Sequence, residues 1–363
     1  MSASTIAALI ATLENAGAAE ERIAAIERAL AIEPTIATWP AGLPRNVFRW
    51  KFYCSLGDAY AVRENGDHSN NLDEVVRAYE NALALFSSEE FALDWATTQL
   101  NLGIALRERQ NGRHSDNIEK SITCLPGSSG VFKQLTDYQL EWARAENELG
   151  MSYVERIEDD PAQNVEHAIA AFEQALTVYD PMSSPDLWAD TKDNIGCAYG
   201  DRLRGDKEQN QETSIAAFED ALTVYNADPY HKQKAATLNN LGLTFLERER
   251  GNASQNIERA IRLFKRSISN ISRNDDPVQW AGGHNNLANA YTARRRGSKR
   301  WNLERAIRAY ESVAPIYWQY GDRGNWAKVM TNLGSCYWDR LLGLRSRNIE
   351  CAIKCYRSAT APR

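Results

Sequence analysis

The sequence predicts an all-α chain built as a right-handed superhelical solenoid of helix-turn-helix repeats. Three observations predict it. A motif recurs at an almost constant step along the 363 residues. Apolar residues within each copy fall three and four apart, which is one buried helical stripe. Pro-containing pairs such as Asp276-Pro277 and Ser184-Pro185 punctuate the joins.

The small residue of the recurring LG-type pair serves as a zero mark. It falls at Gly57, Gly103, Gly150, Gly196, Gly242, Ala288 and Gly334, with steps of 46, 47, 46, 46, 46 and 46 residues. A fixed period in this range means stacked supersecondary units, here seven over residues 46–363. Residues 1–45 precede them as a helical cap, in which AAIERALAIEP (24–34) has the pattern of a second helix closed by proline.

Within each copy the first helix carries the mark, with an aromatic or Leu three residues on: Tyr60, Leu106, Tyr153, Tyr199, Phe245, Tyr291 and Tyr337. The mark is small because two helices pack closely only where no side chain intervenes. Six copies then offer a glycine that can stop the helix in left-handed geometry: Gly66, Gly112, Gly205, Gly251, Gly297 and Gly343. The third copy has Asp159 there. Fourteen residues after the mark stands an asparagine, from Asn71 to Asn348, that reads as the N-cap of the second helix. Two residues later comes an acid, from Asp73 to Glu350, that reads as a first-turn residue favoured by the helix dipole. In the second copy, CLPGSSGV (124–131) predicts that the second helix ends early at Pro126 and Gly127, leaving either a drifted repeat or a hinge.

LGxxY followed by AxxxF/YxxAL resembles the tetratricopeptide repeat, in a variant longer than the usual 34 residues. The loop pattern RxxGxxxxNxE resembles the bacterial repeats that precede CHAT domains, which are caspase-like peptidase modules, and more loosely those of kinesin light chain. The resemblance implies a binding scaffold. The seventh repeat ends close to residue 363, leaving no room for a peptidase module, and no catalytic residue is carried over.

Three columns of side chains are candidates for function. An arginine follows every mark by six residues: Arg63, Arg109, Arg156, Arg202, Arg248, Arg294 and Arg340. The rigid spacing favours a structural tie from the end of the first helix to the acid at the start of its own second helix, or to loop carbonyls, over a ligand ladder. Two residues before the mark stand Asn101, Asn194, Asn240, Asn286 and Asn332, with Ser55 and Glu148 in the other copies. In tetratricopeptide repeats this position faces the concave groove and such asparagines bond a peptide backbone; bonding between neighbouring repeats is the competing reading. Two turns further on the same face come Glu108, Glu155, Asp201, Glu247 and Asp339, an acidic stripe beside the asparagines. The tryptophans at 95, 142, 188, 280 and 326 read as packing between hairpins.

Charge is divided unevenly. Residues 1–181 hold 14 Lys+Arg against 28 Asp+Glu, and residues 182–363 hold 28 against 20, so the halves carry −14 and +8. The sixth loop, ARRRGSKRW, forms a basic patch of Arg294, Arg295, Arg296, Lys299 and Arg300 suited to an acidic protein surface or a phosphate. No nucleic-acid motif accompanies it, so a nucleic acid is the disfavoured partner. The six cysteines form no CxxC pair and read as reduced thiols, and no histidine has metal-ligand spacing. MSASTIAALIATLENAG lacks the basic start of a secretory signal, and no apolar run is long enough to span a bilayer.

The sequence therefore predicts a cytoplasmic, bacterial, non-catalytic scaffold without metal or cofactor. It holds a protein or peptide in its groove, as an adaptor or as a sensor for a separately encoded effector. Alternatives are a receptor for a signalling peptide, or an anion- or nucleic-acid-binding module using loop 294–300. The sparsely capped closing stretch IECAIKCYRSATAPR adds an expectation of weak self-association.

Overall fold

The computed structural model describes residues 18–35, 44–85, 91–227 and 229–360. Among them are fifteen α-helices and no strand. Of the predicted cap, residues 1–17 and 36–43, including the stretch tested for a signal, lie outside the described residues. The remainder forms α1 (Ala19–Ile32) and a short 3-10 turn, Glu33–Thr35.

Seven antiparallel helix pairs follow. They are α2 (Arg45–Ala61) with α3 (His68–Leu83), α4 (Ala92–Glu108) with α5 (His114–Phe132), and α6 (Gln139–Glu155) with α7 (Pro161–Ala175). Next come α8 (Pro185–Asp201) with α9 (Lys207–Tyr225), and α10 (His231–Glu247) with α11 (Ala253–Asn270). The last are α12 (Pro277–Ala293) with α13 (Lys299–Gln319), and α14 (Arg323–Asp339) with α15 (Arg345–Thr360). The chain forms two compact units, Met1–Asp180 with the first three pairs and Pro181–Arg363 with the last four. The boundary coincides with the change of charge, so one unit is acidic and the other basic.

Inside each unit every helix packs on its chain neighbours, and the first helices α4 and α6, α8 and α10, and α10 and α12 also touch each other. The second unit has a large cluster that includes Phe218, Leu238, Phe264, Ala281 and Tyr310, and a small one around Ala189, Ala221 and Tyr225. The first unit holds separate clusters, one around Val75 and Tyr79 and another around Leu125 and Phe132. The tryptophan column serves packing, as predicted: Trp142 is buried, and Trp95, Trp188, Trp280 and Trp326 are half-buried against these clusters.

The mark is small because the ring of the second helix lies on it. A Cβ added to Gly242 would sit 2.6 Å from Cε1 of Phe264, and Gly196 meets Phe218 at the same distance. Gly150 meets Phe172 and Gly57 meets Tyr79 in the same way. The sixth pair accommodates Ala288 beside a buried Tyr310.

The loop is held differently from the sequence expectation. The first helix stops at the arginine, whose backbone turns extended, as at Arg248 (φ −59, ψ 124). The glycine three residues later makes a left-handed turn within the loop, Gly251 at φ 83. Asp159 is the one non-glycine residue with positive φ among those described, at φ 63, and it pairs with Arg156 at 2.6 Å. The N-cap lies four residues before the predicted asparagine: Asp67, Asp160, Asp206 and Asn252 accept a bond from the first turn. The asparagine is instead a buried clamp. Asn256 Nδ2 donates to the carbonyl of Arg250 at 2.9 Å and to that of Arg248 at 3.2 Å. Asn71, Asn117, Asn164, Asn210, Asn302 and Asn348 repeat this geometry. It satisfies loop carbonyls that burial would otherwise leave without a donor.

In five copies the arginine of the column does not pair with the predicted acid of its own second helix. Its guanidinium reaches the acid of the preceding repeat: Arg109 to Asp73, Arg156 to Glu119, Arg248 to Glu212, Arg294 to Glu258 and Arg340 to Glu304. Arg248 does so with two parallel bonds, Nε to Oε1 at 2.6 Å and its terminal nitrogen to Oε2 at 2.7 Å, and also donates to Asn256 Oδ1 at 3.4 Å. The acid lies in the second turn of its helix, within reach of the next repeat. These arginines hold the Glu119, Glu212, Glu258 and Glu304 carboxyls below their ordinary pKa.

The helix break predicted at Pro126 is absent. Helix α5 runs through it to Phe132. Gly127 leaves room for Trp95, which a Cβ would meet at 2.8 Å, and the Ser128 hydroxyl donates to the Leu125 carbonyl. Packing on both sides outweighs the lost backbone bond.

Two outcomes follow. Gly242→Val forces a branched side chain into the Phe264 ring and lowers unfolding free energy by about 2–3 kcal/mol in urea titration, with Gly242→Ala nearer 1 kcal/mol. Arg248→Ala costs about 1–2 kcal/mol, and a double-mutant cycle with Glu212→Ala shows coupling of about 1 kcal/mol that shrinks in high salt.

Candidate functional site

The first helices of the second unit present the asparagine and acidic columns on one face, because −2 and +5 are seven residues, two turns, apart. The chain brings members of both columns together in two clefts between successive pairs. The first, of about 260 Å³, lies between α8 and α10 and is lined by Cys197, Gly200, Asp201, Gln211, Phe218, Asn240, Thr244 and Glu247. The second, of about 270 Å³, lies between α12 and α14 and is lined by Asn289, Thr292, Lys299, Tyr310, Asn332 and Asp339.

The asparagines are half-buried and bond the preceding repeat. Asn240 Nδ2 donates to Cys197 Sγ at 3.4 Å, Asn286 Nδ2 to Asn239 Oδ1 at 3.0 Å, and Asn332 Nδ2 to Asn289 Oδ1 at 3.2 Å. Asn101 hydrogen-bonds the Tyr79 hydroxyl. The inter-repeat bonding weighed for this column is thus present. Asn240, Asn286 and Asn332 each donate through Nδ2, and Asn286 Oδ1 also accepts from Asn285 at 3.4 Å; an amide offers two donors and a carbonyl acceptor. Asn194 is half-buried on α8.

The acidic column divides. Glu108 and Glu155 belong to an ion cluster of the first unit. Arg107, 12% exposed, donates to Glu148 at 3.2 Å and to Glu155 at 3.1 Å and lies 3.5 Å from Glu108. Burial raises the Glu148 carboxyl despite that pairing. Asp201 and Glu247 line the first cleft of the second unit with no ion pair to a described residue. Burial raises the Asp201 carboxyl.

Sequence reasoning missed the side chains that finish these clefts, because they lie outside the repeated columns. Arg107 stands four residues after its mark, where the fourth copy has Gly200. Asp193 stands three before its mark. Its Oδ1 is fully buried without a hydrogen-bond partner, and burial pushes its carboxyl up to about 6 against a bond from Thr237. Asp190 accepts from Tyr225 and Asp186 from Tyr230, so α8 carries acids along its length. The signal in the sequence was the acid spacing on that one helix.

The basic patch is distributed over two roles. Arg294 belongs to the inter-repeat ties, bound to Glu258 and Asn302. Arg295, Arg296, Lys299 and Arg300 are exposed, and Arg296 joins Arg248, Arg259 and Arg262 around a cavity of about 310 Å³ that also contains Glu258. Among the described residues no three His, Cys, Asp or Glu side chains gather as metal ligands, and no helix is long and apolar enough to cross a membrane.

The fold is that of tetratricopeptide-like helical repeats. It is similar to aspartyl phosphate phosphatase F from Bacillus subtilis (TM-score 0.56, 11% identity, 87% of this chain and 70% of that one). It is similar to the apo form of RapI (0.54, 14%, 85% and 96%). It is also similar to a STAND protein with a tetratricopeptide repeat sensor from Pyrococcus horikoshii (0.52, 13%, 86% and 46%). No family model and no curated protein matches the sequence.

The raised Asp193 carboxyl has a measurable consequence. The native state holds that proton more tightly than the unfolded chain, so its burial penalty is full above pH 6 and fades as pH falls toward the ordinary carboxylate range. Asp193→Asn therefore raises the urea midpoint at pH 7.5, and the gain disappears by pH 4.

Proposed function

We propose that this chain is a non-catalytic binding module that holds an extended segment of a protein or peptide along its first-helix face. The observation that carries the reading is the recurrence of one cleft type in the second unit, with an asparagine and an acid at corresponding positions of each. Amides at a regular step suit an extended backbone, which repeats donors and acceptors regularly, while the space between repeats takes side chains. The likeness to a repeat sensor fold and the resemblance of the RxxGxxxxNxE loop pattern to repeats that precede CHAT domains support a sensor or adaptor working with a separate effector in the cytoplasm.

The exposed arginines around Arg296 support a second reading, capture of an acidic surface through the sixth loop. One experiment separates the two. In an affinity capture from the native cell, Asn240→Ala with Asn332→Ala loses the partner while the thermal transition stays cooperative. Charge reversal at Arg295 and Arg296 leaves capture intact. The opposite pattern assigns the function to the loop.

A further inference from the structure

Two clefts in corresponding places differ in the residue that decides what each can hold. In the first unit, Arg107 leaves α4 four residues after Gly103 and fills the space between the second and third pairs. Its guanidinium spans Glu148 at the −2 position and Glu155 at the +5 position of the next repeat. His114 completes the cluster, 3.4 Å from the other oxygen of Glu155. The protein thus shows what these columns do with a planar cation: its forked donors serve two carboxylates at once.

The cleft between the fourth and fifth pairs has the same positions without the cation. Gly200 replaces the arginine, and a Cβ there would meet only Ser214 Oγ, at 3.6 Å, so the space is open. Asn240 and Glu247 occupy the −2 and +5 positions of the next repeat, and Asp201 adds the fourth pair's own acid. The nearby Lys207 is engaged by Glu249 at 2.6 Å. Asp193, Cys197 and Asp201 are successive turns of one face of α8. The buried, unpartnered Oδ1 of Asp193 therefore lies one turn from the lining Cys197, whose thiol burial and then Asp193 raise. Two carboxylates, Asp201 and Glu247, and an open volume stand where the other unit supplies its own arginine.

We propose that this cleft takes the guanidinium of an arginine side chain carried by the bound segment, with Asp201 and Glu247 as its pairing carboxylates and Asn240 beside them. This rests on the binding-face reading above and names the chemistry the face selects. A planar fork suits it better than an ammonium, because the two carboxylates belong to different helices and must be reached together. A divalent cation fits less well, since no three ligating side chains converge among the described residues.

The full chain is probed with an array of random nonapeptides and, separately, with free L-arginine by calorimetry. The expected result is enrichment of arginine among bound peptides and a loss of about tenfold or more in affinity when that arginine is replaced by citrulline. Gly200→Arg, which supplies the cation internally, abolishes the arginine preference. Asp201→Asn with Glu247→Gln does the same should that variant not fold. Peptides bound without arginine preference, yet lost on Asn240→Ala with Asn332→Ala, overturn this inference and leave the binding-face reading standing. If no peptide binds, that reading falls. The guanidinium site then survives as a small-molecule site only if free arginine gives heat that requires Asp201 and Glu247; absence of that heat overturns it.

Discussion

The close approach of the two helices in each pair is the constraint on which the rest of the structure depends. A phenylalanine or tyrosine ring of the second helix, or the Leu125 side chain in the second pair, lies against the backbone at the mark, near enough that only glycine, or alanine beside Tyr310, leaves room. That contact fixes the depth at which the pair closes and the rotation of the first helix about its axis. The rotation in turn decides that residues −2 and +5 share a face away from the ring, whereas the mark and the residue three after it turn inward.

Stacking of pairs is then set by polar chemistry at the loops. Each described arginine tie reaches back 36 or 37 residues to an acid of the preceding repeat, while the asparagine after it clamps its own loop. A bidentate arginine–carboxylate pair tolerates little angular error, so it serves as a register device between neighbours more than as a source of stability. Its partial burial also explains why glycine recurs nearby. The loop must turn in left-handed geometry to bring its carbonyls under the asparagine amide, and Asp159 does so with a compensating bond to Arg156.

With the scaffold fixed in this way, variation at unrepeated positions becomes meaningful. Arg107 and Gly200 stand at the same step after their marks, and one closes a cleft that the other opens. Carboxylates on α8 are raised because burial is not offset by cations. Charged groups left in that condition cost stability, and a surface that keeps them is organised for something other than its own folding.

The fold class and the small mark were legible in the sequence, because each follows from spacing along a single helix or from a repeated period. Helix α5 escaped it: Pro126 and Gly127 read as breakers, but Trp95 from the neighbouring helix fills the space they leave, and local propensity does not contain that contact. The partner of each arginine escaped it as well. The acid of its own repeat and the acid of the preceding one fit the same periodic pattern, and only the packing of one pair on the next places the latter within 2.6 Å of Arg248. Tertiary structure likewise decided which clefts are open, since openness depends on what a neighbouring helix puts into the space and no single copy of the repeat carries that information.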